Sequence, residues 1–109
     1  MTDLARIDTE QRDAACVVHI HGEVDISNAE DVLAAIETAV PPGADELVVD
    51  LTGTSYLDSA GVGLLLRLGE RLRGRRQEMR LVAPPDHPVR AVLDLAAVTK
   101  LVPVADRLD

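Results

Sequence analysis

One short stretch of the sequence combines residue types that could support a covalent switch. Asp58 and Ser59 stand side by side after the apolar run LVVDL (47–51), and Gly61 and Gly63 follow at once. An Asp-Ser pair ahead of a helix-spaced apolar run predicts a helix start, where open amides and the helix dipole favour an added phosphate. Ser59 is therefore a candidate phosphate acceptor, and the two glycines would leave room for a second protein to approach.

The same residues have simpler explanations. Asp and Ser are strongly preferred as helix caps, and on spacing alone capping by Asp58 or Ser59 is the better-supported interpretation. A hydrolase is a further alternative, with Ser59 as the nucleophile and a base drawn from the three histidines, His19, His21 and His87. The Gly-x-Ser-x-Gly elbow of such enzymes is missing, because Leu57 and Gly61 flank residues 58–60. We therefore expect no catalytic residue.

Other candidate sites are weaker. His19 and His21 share one face of a predicted strand and could hold a metal ion together, but no third ligand lies near them in sequence. The lone Cys16 lies in an apolar segment, which predicts a buried side chain. Residues 61–66 begin like a dinucleotide fingerprint, but Leu66 stands where its third glycine belongs. We expect neither a metal nor a cofactor.

The composition of the 109-residue chain excludes several classes of protein. A formal charge of -8 argues against binding to phosphate backbones, and a single aromatic residue, Tyr56, excludes stacking platforms for nucleic acid. The arginines within 67–80 are interpreted as a solvated face near a helix end, with a partner contact as the next alternative and a nucleic-acid patch as the least favoured one. Without a signal-peptide pattern or an apolar run of about 20 residues, we expect a cytoplasmic protein with no membrane partner.

Hydrophobic periodicity predicts the elements that must position Asp58 and Ser59. Strands and helices alternate, with strands at 4–8, 15–21, 46–51, 79–83 and 101–104, and helices at about 27–40, 58–74 and 87–96. Ser27 and Glu30 fit a capping box, and polar residues 10–13 predict the turn between two antiparallel strands. The alternation predicts one α/β domain over residues 1–109, with a mixed, mainly parallel sheet of four to five strands packed against helices.

Two motifs make nearly the whole chain resemble a known family. The first is YLDSAGVG at residues 56–63, and the second is GEVD at residues 22–25, ahead of the first long helix. In this order and at this separation they resemble the STAS domain (sulfate transporter and anti-sigma factor antagonist), and within it the free-standing bacterial anti-sigma factor antagonists. Three positions depart from the family pattern: Ala60 replaces a common Ser or Thr, Arg76 begins a turn that is often Gly-rich, and Ala97 replaces a common Gly.

The resemblance implies a phosphorylation switch. In the family, an anti-sigma factor that is itself a serine kinase phosphorylates the serine after the aspartate, which is the position of Ser59. The implied partner surface comprises Asp25, Asp58, Ser59, Ala60 and Gly61. Unphosphorylated protein would bind the anti-sigma factor and release a sigma factor, and a serine phosphatase would reset Ser59. The alternative with the same fold is a STAS scaffold or interaction module of a transporter or stress-signalling assembly.

Overall fold

A computed structural model describes residues 5–108, which form a sheet of β-strands and three α-helices. The elements are β1 (Ala5–Arg12), β2 (Ala15–Val24), α1 (Ala29–Ala39), β3 (Glu46–Asp50), β4 (Thr54–Leu57), α2 (Ser59–Gly74), β5 (Glu78–Val82), α3 (Pro88–Leu95) and β6 (Val104–Ala105). The main sheet has the order β1-β2-β3-β5-β6, and β4 pairs with β2. Only the β1–β2 pair is antiparallel among the described strands. The predicted α/β class and mainly parallel sheet are confirmed.

The sheet has six strands within the described residues, more than the expected four to five, because β4 forms beyond the end of the β2–β3 pairing. β2 pairs with β3 as far as His19, and from Gly22 onward it pairs with β4. The amide of Gly22 donates to the carbonyl of Gly53 at 3.0 Å. Thr54 is fully buried, and its hydroxyl donates to the carbonyl of Ile20 at 2.8 Å. These hydrogen bonds hold β4 beside β2. β4 has only four residues, which are too few for hydrophobic periodicity to predict a strand.

Two predicted boundaries at the ends of the sheet are wrong. The chain reverses at Asp13, whose φ of 55° is left-handed, and not across residues 10–13, because β1 stays paired with β2 through Arg12. The last strand begins at Val104 because a 3-10 turn at Val98–Lys100 comes first and leaves Leu101 exposed. Leu4, which belongs to the first predicted segment, lies outside the described residues.

An aliphatic core lies between the sheet and the helices. Cys16, Val18 and Ile20 alternate along β2 and are all buried on the helix side, which confirms the buried position expected for Cys16. Fully burying one such aliphatic side chain contributes about 1.5–3 kcal/mol. Among the described residues, no helix is long and apolar enough to cross a membrane.

Exposed ion pairs account for part of the arginine cluster. Arg67 donates to Glu30 at 2.7 Å and Arg71 to Glu37 at 2.5 Å, so the two pairs join α2 to α1 across their solvent side. Pairs this exposed contribute about 0–1 kcal/mol each. Arg67 and Arg71 therefore contribute to the solvent-exposed contact between α1 and α2.

Candidate functional site

The pairing of β2 with β4 brings the two sequence motifs together. Glu23 lies opposite Tyr56 and Val24 opposite Leu57, so the GEVD segment ends where the YLDSAGVG segment turns into α2. Ser59 is the first residue of α2 and is exposed. Its side chain is therefore presented at the carboxyl end of two parallel strands.

Asp58 is the N-cap of α2. Its Oδ1 accepts from the amides of Ala60 at 2.9 Å and Gly61 at 3.1 Å, and its Oδ2 accepts from the amide of Ile26 at 3.3 Å. The capping interpretation thus applies to Asp58, and Ser59 follows the cap as the first helical residue. The expectation of open amides around Ser59 needs correction, since two amides of the first turn are already bonded to Asp58.

The loop of residues 25–28 is folded by its own polar side chains. Asp25 is half-buried, and its Oδ1 accepts from the amide of Ser27 at 2.8 Å and from the hydroxyl of Ser27 at 2.5 Å. The buried Asn28 accepts from the amide of Asp25 at 2.9 Å and donates to the carbonyl of Glu23 at 2.8 Å. Because the amide of Ile26 also reaches Asp58, this loop and the start of α2 form one bonded unit.

The predicted capping box is wrong. Asn28, and not Ser27, is the N-cap residue of α1, and its side chain makes no cap hydrogen bond to the helix. The hydroxyl of Ser27 is directed to Asp25, while Glu30 pairs with Arg67. Competing bonds within the loop therefore replace the two reciprocal bonds of a capping box.

The two glycines of the motif have different surroundings. Gly61 is buried, and a Cβ placed there would collide with the side chain of Leu57 and lie 3.3 Å from Val24. At Gly63 nothing lies within 4 Å of such an atom. Gly61 therefore allows α2 to approach β4 and β2, and only Gly63 leaves open space outside the helix. The half-buried Ala60 packs against the core.

A shallow apolar groove adjoins Ser59, and one of its walls comes from α3, which is distant from Ser59 in sequence. The groove measures about 380 Å³ and is lined by Asp58, Ser59, Val62, Val92, Leu95 and Ala96. Leu95 is 89% exposed. Leu95 lies within the third predicted helix (87–96), but its distance to Ser59 depends on how α3 packs against α2.

The histidines lie elsewhere. His19 bonds through Nδ1 to Asp50 at 2.7 Å and through Nε2 to Glu10 at 2.8 Å. Burial lowers the pKa of His19, but the bonds to Glu10 and Asp50 outweigh it and hold that pKa above its usual value. His21 lies 3.2 Å from Asp8. The outer face of β2 thus carries histidines paired with carboxylates.

His87 has a structural role. It caps α3 by accepting from the amide of Val89 at 3.1 Å, and its Nε2 donates to the carbonyl of Thr52 at 3.0 Å. Between residues 5 and 108, no histidine is hydrogen-bonded to Ser59, and no three metal-binding side chains converge as a metal site. The described geometry therefore does not assemble the base that the hydrolase alternative requires.

The mainly parallel sheet, and the exposed serine that follows the Asp58 cap of α2, agree with the resemblance of the two motifs to the STAS domain. The chain belongs to the STAS domain family, since a family model described as "Mlab, STAS domain" matches residues 7–103.

Within that family, the chain is similar to bacterial anti-sigma factor antagonists. It is 32% identical over 81 residues to the anti-sigma-B factor antagonist of Listeria monocytogenes, covering 73% of this chain and 71% of that protein. An anti-sigma factor antagonist from Mycobacterium paratuberculosis superposes with a TM-score of 0.85 at 28% identity, covering 96% and 88% of the two chains.

The unphosphorylated antagonist SpoIIAA superposes with a TM-score of 0.72 at 26% identity, covering 92% of this chain and 88% of SpoIIAA. A phosphorylated form of SpoIIAA from Bacillus has also been solved. These relatives are named for antagonism of another protein and not for a catalysed reaction.

Proposed function

We propose that this chain is an anti-sigma factor antagonist and that Ser59 is its switch. In the unphosphorylated state, the surface around Asp25, Asp58, Ser59, Ala60 and Gly61 binds an anti-sigma factor that is also a serine kinase, and a sigma factor is released in the cytoplasm. The observation that carries the proposal is the exposed Ser59 hydroxyl directly after the Asp58 cap, where the two motifs meet. The names of the relatives, and the two forms of SpoIIAA, support it.

Phosphorylation changes the charge of this surface without changing the fold. The kinase would transfer the γ-phosphoryl group of ATP to Ser59 Oγ, with ADP leaving and a base on the kinase taking the hydroxyl proton. The phosphatase would hydrolyse the phosphoserine with water, which restores Ser59 and releases inorganic phosphate. The phosphate adds a charge of about -1.5 to -2. The dipole of α2 favours the phosphate in the free protein, while Asp58 and Asp25 add negative charge beside it.

The phosphate would weaken partner binding mainly because burying it in the interface removes its hydration water. In the free protein it is hydrated, but an interface closing over Ser59 would remove that water from a dianion beside two carboxylates. Removing an uncompensated charge from water costs several kcal/mol, and each 1.4 kcal/mol is tenfold in affinity. A change of this size is sufficient to switch a protein complex off.

The site assignment is tested by labelling. Candidate anti-sigma factors from the source bacterium are purified and incubated with radiolabelled ATP and three forms of the chain: wild type, Ser59→Ala and Ser55→Ala. Ser55 is the matched control because it is also exposed and lies four residues earlier, in β4. We expect label on wild type and Ser55→Ala, and none on Ser59→Ala, which still binds.

Two results would contradict the proposal. Full labelling of Ser59→Ala would show that the acceptor is another residue. Binding of wild type without any phosphorylation would favour the alternative, a STAS scaffold of a transporter or stress-signalling assembly.

A further inference from the structure

The edge of β5 that faces β6 is only half covered. β3 pairs with all five residues of β5, whereas β6 pairs only with the last two. The amide of Leu81 donates to the carbonyl of Pro103 at 2.9 Å, and that of Glu78 donates to the residue before β3 at 3.0 Å. Because neighbouring residues of a strand bond to opposite sides, Met79 presents its amide and its carbonyl to the β6 side, as Leu81 does.

Pro103 explains why the pairing stops. The next bond of the ladder would run from the amide of residue 103 to the carbonyl of Met79, and a proline has no N–H. Before Pro103 the chain leaves the edge, since the amides of Leu101 and Val102 both donate to the carbonyl of Val98 at 2.9 Å. In the described part of the chain, no backbone hydrogen bond joins Met79 to this segment. The first half of the β5 edge therefore presents unpaired backbone groups.

A cavity of about 230 Å³ opens beside this unpaired edge. Its walls come from Gly69 and Arg73 in the second half of α2, from Met79, and from the segment that begins at Leu101. Leu101 is 62% exposed. A water molecule occupies about 30 Å³ of liquid, so the cavity has room for a larger group such as an aliphatic side chain. We call it the β5-edge cavity.

Two polar side chains that line the β5-edge cavity lack partners. Gln77 is only 7% exposed, and its Nε2 donates to the carbonyl of Ala44 at 2.7 Å, but its Oε1 accepts no hydrogen bond from the described residues. Arg73 is exposed and forms no ion pair within the same residues. Buried polar atoms are nearly always hydrogen-bonded. A guest with a hydrogen-bond donor and an anion would therefore satisfy both side chains.

The charges near the cavity favour an anionic guest. Arg75 and Arg76 lie in the chain between two residues of the lining, and Lys100 directly precedes Leu101; all three cations are exposed. Glu78 is the one carboxylate in the described lining. In a chain with a formal charge of -8 this local excess of cations is an exception, and it would attract an acidic partner.

We infer that the open half of the β5 edge binds an extended, acidic segment of a partner protein. The segment pairs with Met79 as an added strand, places one aliphatic side chain in the β5-edge cavity and carries a carboxylate beside Arg73. An extended chain fits because its backbone supplies both an acceptor for the amide of Met79 and a donor for its carbonyl, as in strand addition at other sheet edges.

This site goes beyond the proposed function, because it is remote from the switch. Arg73 follows Ser59 by fourteen positions in α2, which corresponds to about 21 Å along the helix axis. The segment and the anti-sigma factor can therefore bind at the same time.

The test uses a synthetic hexapeptide, Thr-Asp-Val-Leu-Asp-Thr, acetylated and amidated at its ends. One control peptide has lysine in place of both aspartates. The other is N-methylated at valine and leucine, which removes their amide donors and keeps their side chains. Each peptide is titrated into the ¹⁵N-labelled chain and followed by NMR. Hydrogen exchange is read at the amide of Met79, and at that of Leu81 as the internal control, because it is already bonded to Pro103.

We expect the aspartate peptide to shift the resonances of Gly69, Met79 and Leu101 and to slow exchange of the Met79 amide at least about tenfold, with no change at Leu81. The lysine peptide should bind at least about threefold more weakly, and the N-methylated peptide should not bind at up to about 5 mM.

Two variants test the charge at the cavity. Arg73→Gln should weaken binding of the aspartate peptide by about two- to fivefold. Arg107→Gln, the matched control, changes an exposed arginine beyond the far end of β6 and should change Kd by less than about twofold.

Five results would overturn this inference while leaving the Ser59 switch intact, since that switch is measured with the anti-sigma factor. The first is no shift with the aspartate peptide at about 5 mM. The second is shifts confined to the surroundings of Ser59. The third is binding without protection of the Met79 amide, and the fourth is equal binding of either control peptide. The fifth is protection of Met79 in the free chain that is lost on dilution, because a second copy would then occupy the edge.

Discussion

Asp58 connects the start of α2 to the loop of residues 25–28. Two different substitutions at Asp58 should separate the stability contributed by the helix cap from the stability contributed by the hydrogen bond to Ile26. Asp58→Ala removes both carboxylate oxygens. Asp58→Asn keeps Oδ1, which accepts from the amides of Ala60 and Gly61, but puts an NH₂ group where Oδ2 accepts from Ile26. Two donors then face each other, so the asparagine variant loses the bond to the loop and retains the helix cap.

The magnitudes follow from these bonds. Loss of an N-cap costs about 1 kcal/mol, and loss of the single hydrogen bond to Ile26 costs about 0.5–1.5 kcal/mol. The free energy of unfolding should therefore fall by about 2 kcal/mol in Asp58→Ala and by about 1 kcal/mol in Asp58→Asn. Because Asp58 is only half-buried, water can reach part of the vacated site, and larger losses are not expected.

Equilibrium urea unfolding followed by circular dichroism measures these differences. The matched control is Asp86→Ala, because Asp86 is exposed and makes no hydrogen bond or ion pair among the described residues; it should stay within about 0.5 kcal/mol of wild type. Two results would refute the reasoning. An Asp58→Ala variant as stable as wild type would mean that Asp58 is not a cap, and an equally destabilised Asp58→Asn would mean that the cap contributes nothing beyond the bond to Ile26.

Three further predictions concern stability. Ala97 has a left-handed φ of 58°, so Ala97→Gly should raise the free energy of unfolding by roughly 0.5–1 kcal/mol, and a lower urea midpoint would contradict this. Gly61→Ala should cost about 1–3 kcal/mol because its Cβ collides with Leu57, whereas Gly63→Ala, in open space, should stabilise α2 by up to about 1 kcal/mol; equal effects would be inconsistent with the packing. Burial is outweighed by hydrogen bonds to Glu10 and Asp50, which raise the pKa of His19, and at Asp50 burial is outweighed by bonds from Thr52, and then from His19, which lower the pKa of Asp50. These bonds therefore stabilise the fold most between the ordinary values of 3.8 and 6.5, and the His19 contribution is lost as pH rises above 6.5. The thermal midpoint should therefore fall by a few degrees from pH 6 to pH 8 in wild type, and a His19→Gln variant with the same fall would contradict this assignment.

Local sequence pattern was sufficient to predict where α2 and α3 begin and where α2 ends, because capping and helix-ending residues within those segments set these boundaries. α2 begins after Asp58 and ends at Gly74 as predicted, because a capping residue and a glycine mark its two ends. α3 begins at Pro88, next to the predicted His87, since proline is favoured in the first turn. These two helices carry both walls of the groove, but their packing against each other was not predictable from either segment.

Hydrogen bonds that form only in the folded chain explain why β4 and the true start of α1 could not be predicted from the sequence. β4 has four residues with no clear alternation, and it becomes a strand because the end of β2 is available to pair with it. Ser27 fits a capping box by type and spacing, yet Asp25 competes for its hydroxyl in the folded loop. Arg76 and Ala97 depart from positions where the family pattern often has glycine, and both have positive φ.

The most direct test of the switch is the affinity of one protein preparation for its anti-sigma factor before and after phosphorylation. Mass spectrometry first establishes complete modification at Ser59, and Kd is then measured for both forms at the same ionic strength. We predict that phosphorylation raises Kd by at least about tenfold to a hundredfold, which corresponds to about 1.4–2.7 kcal/mol or more of lost binding free energy. Equal dissociation constants for the two forms would contradict a phosphorylation switch at Ser59.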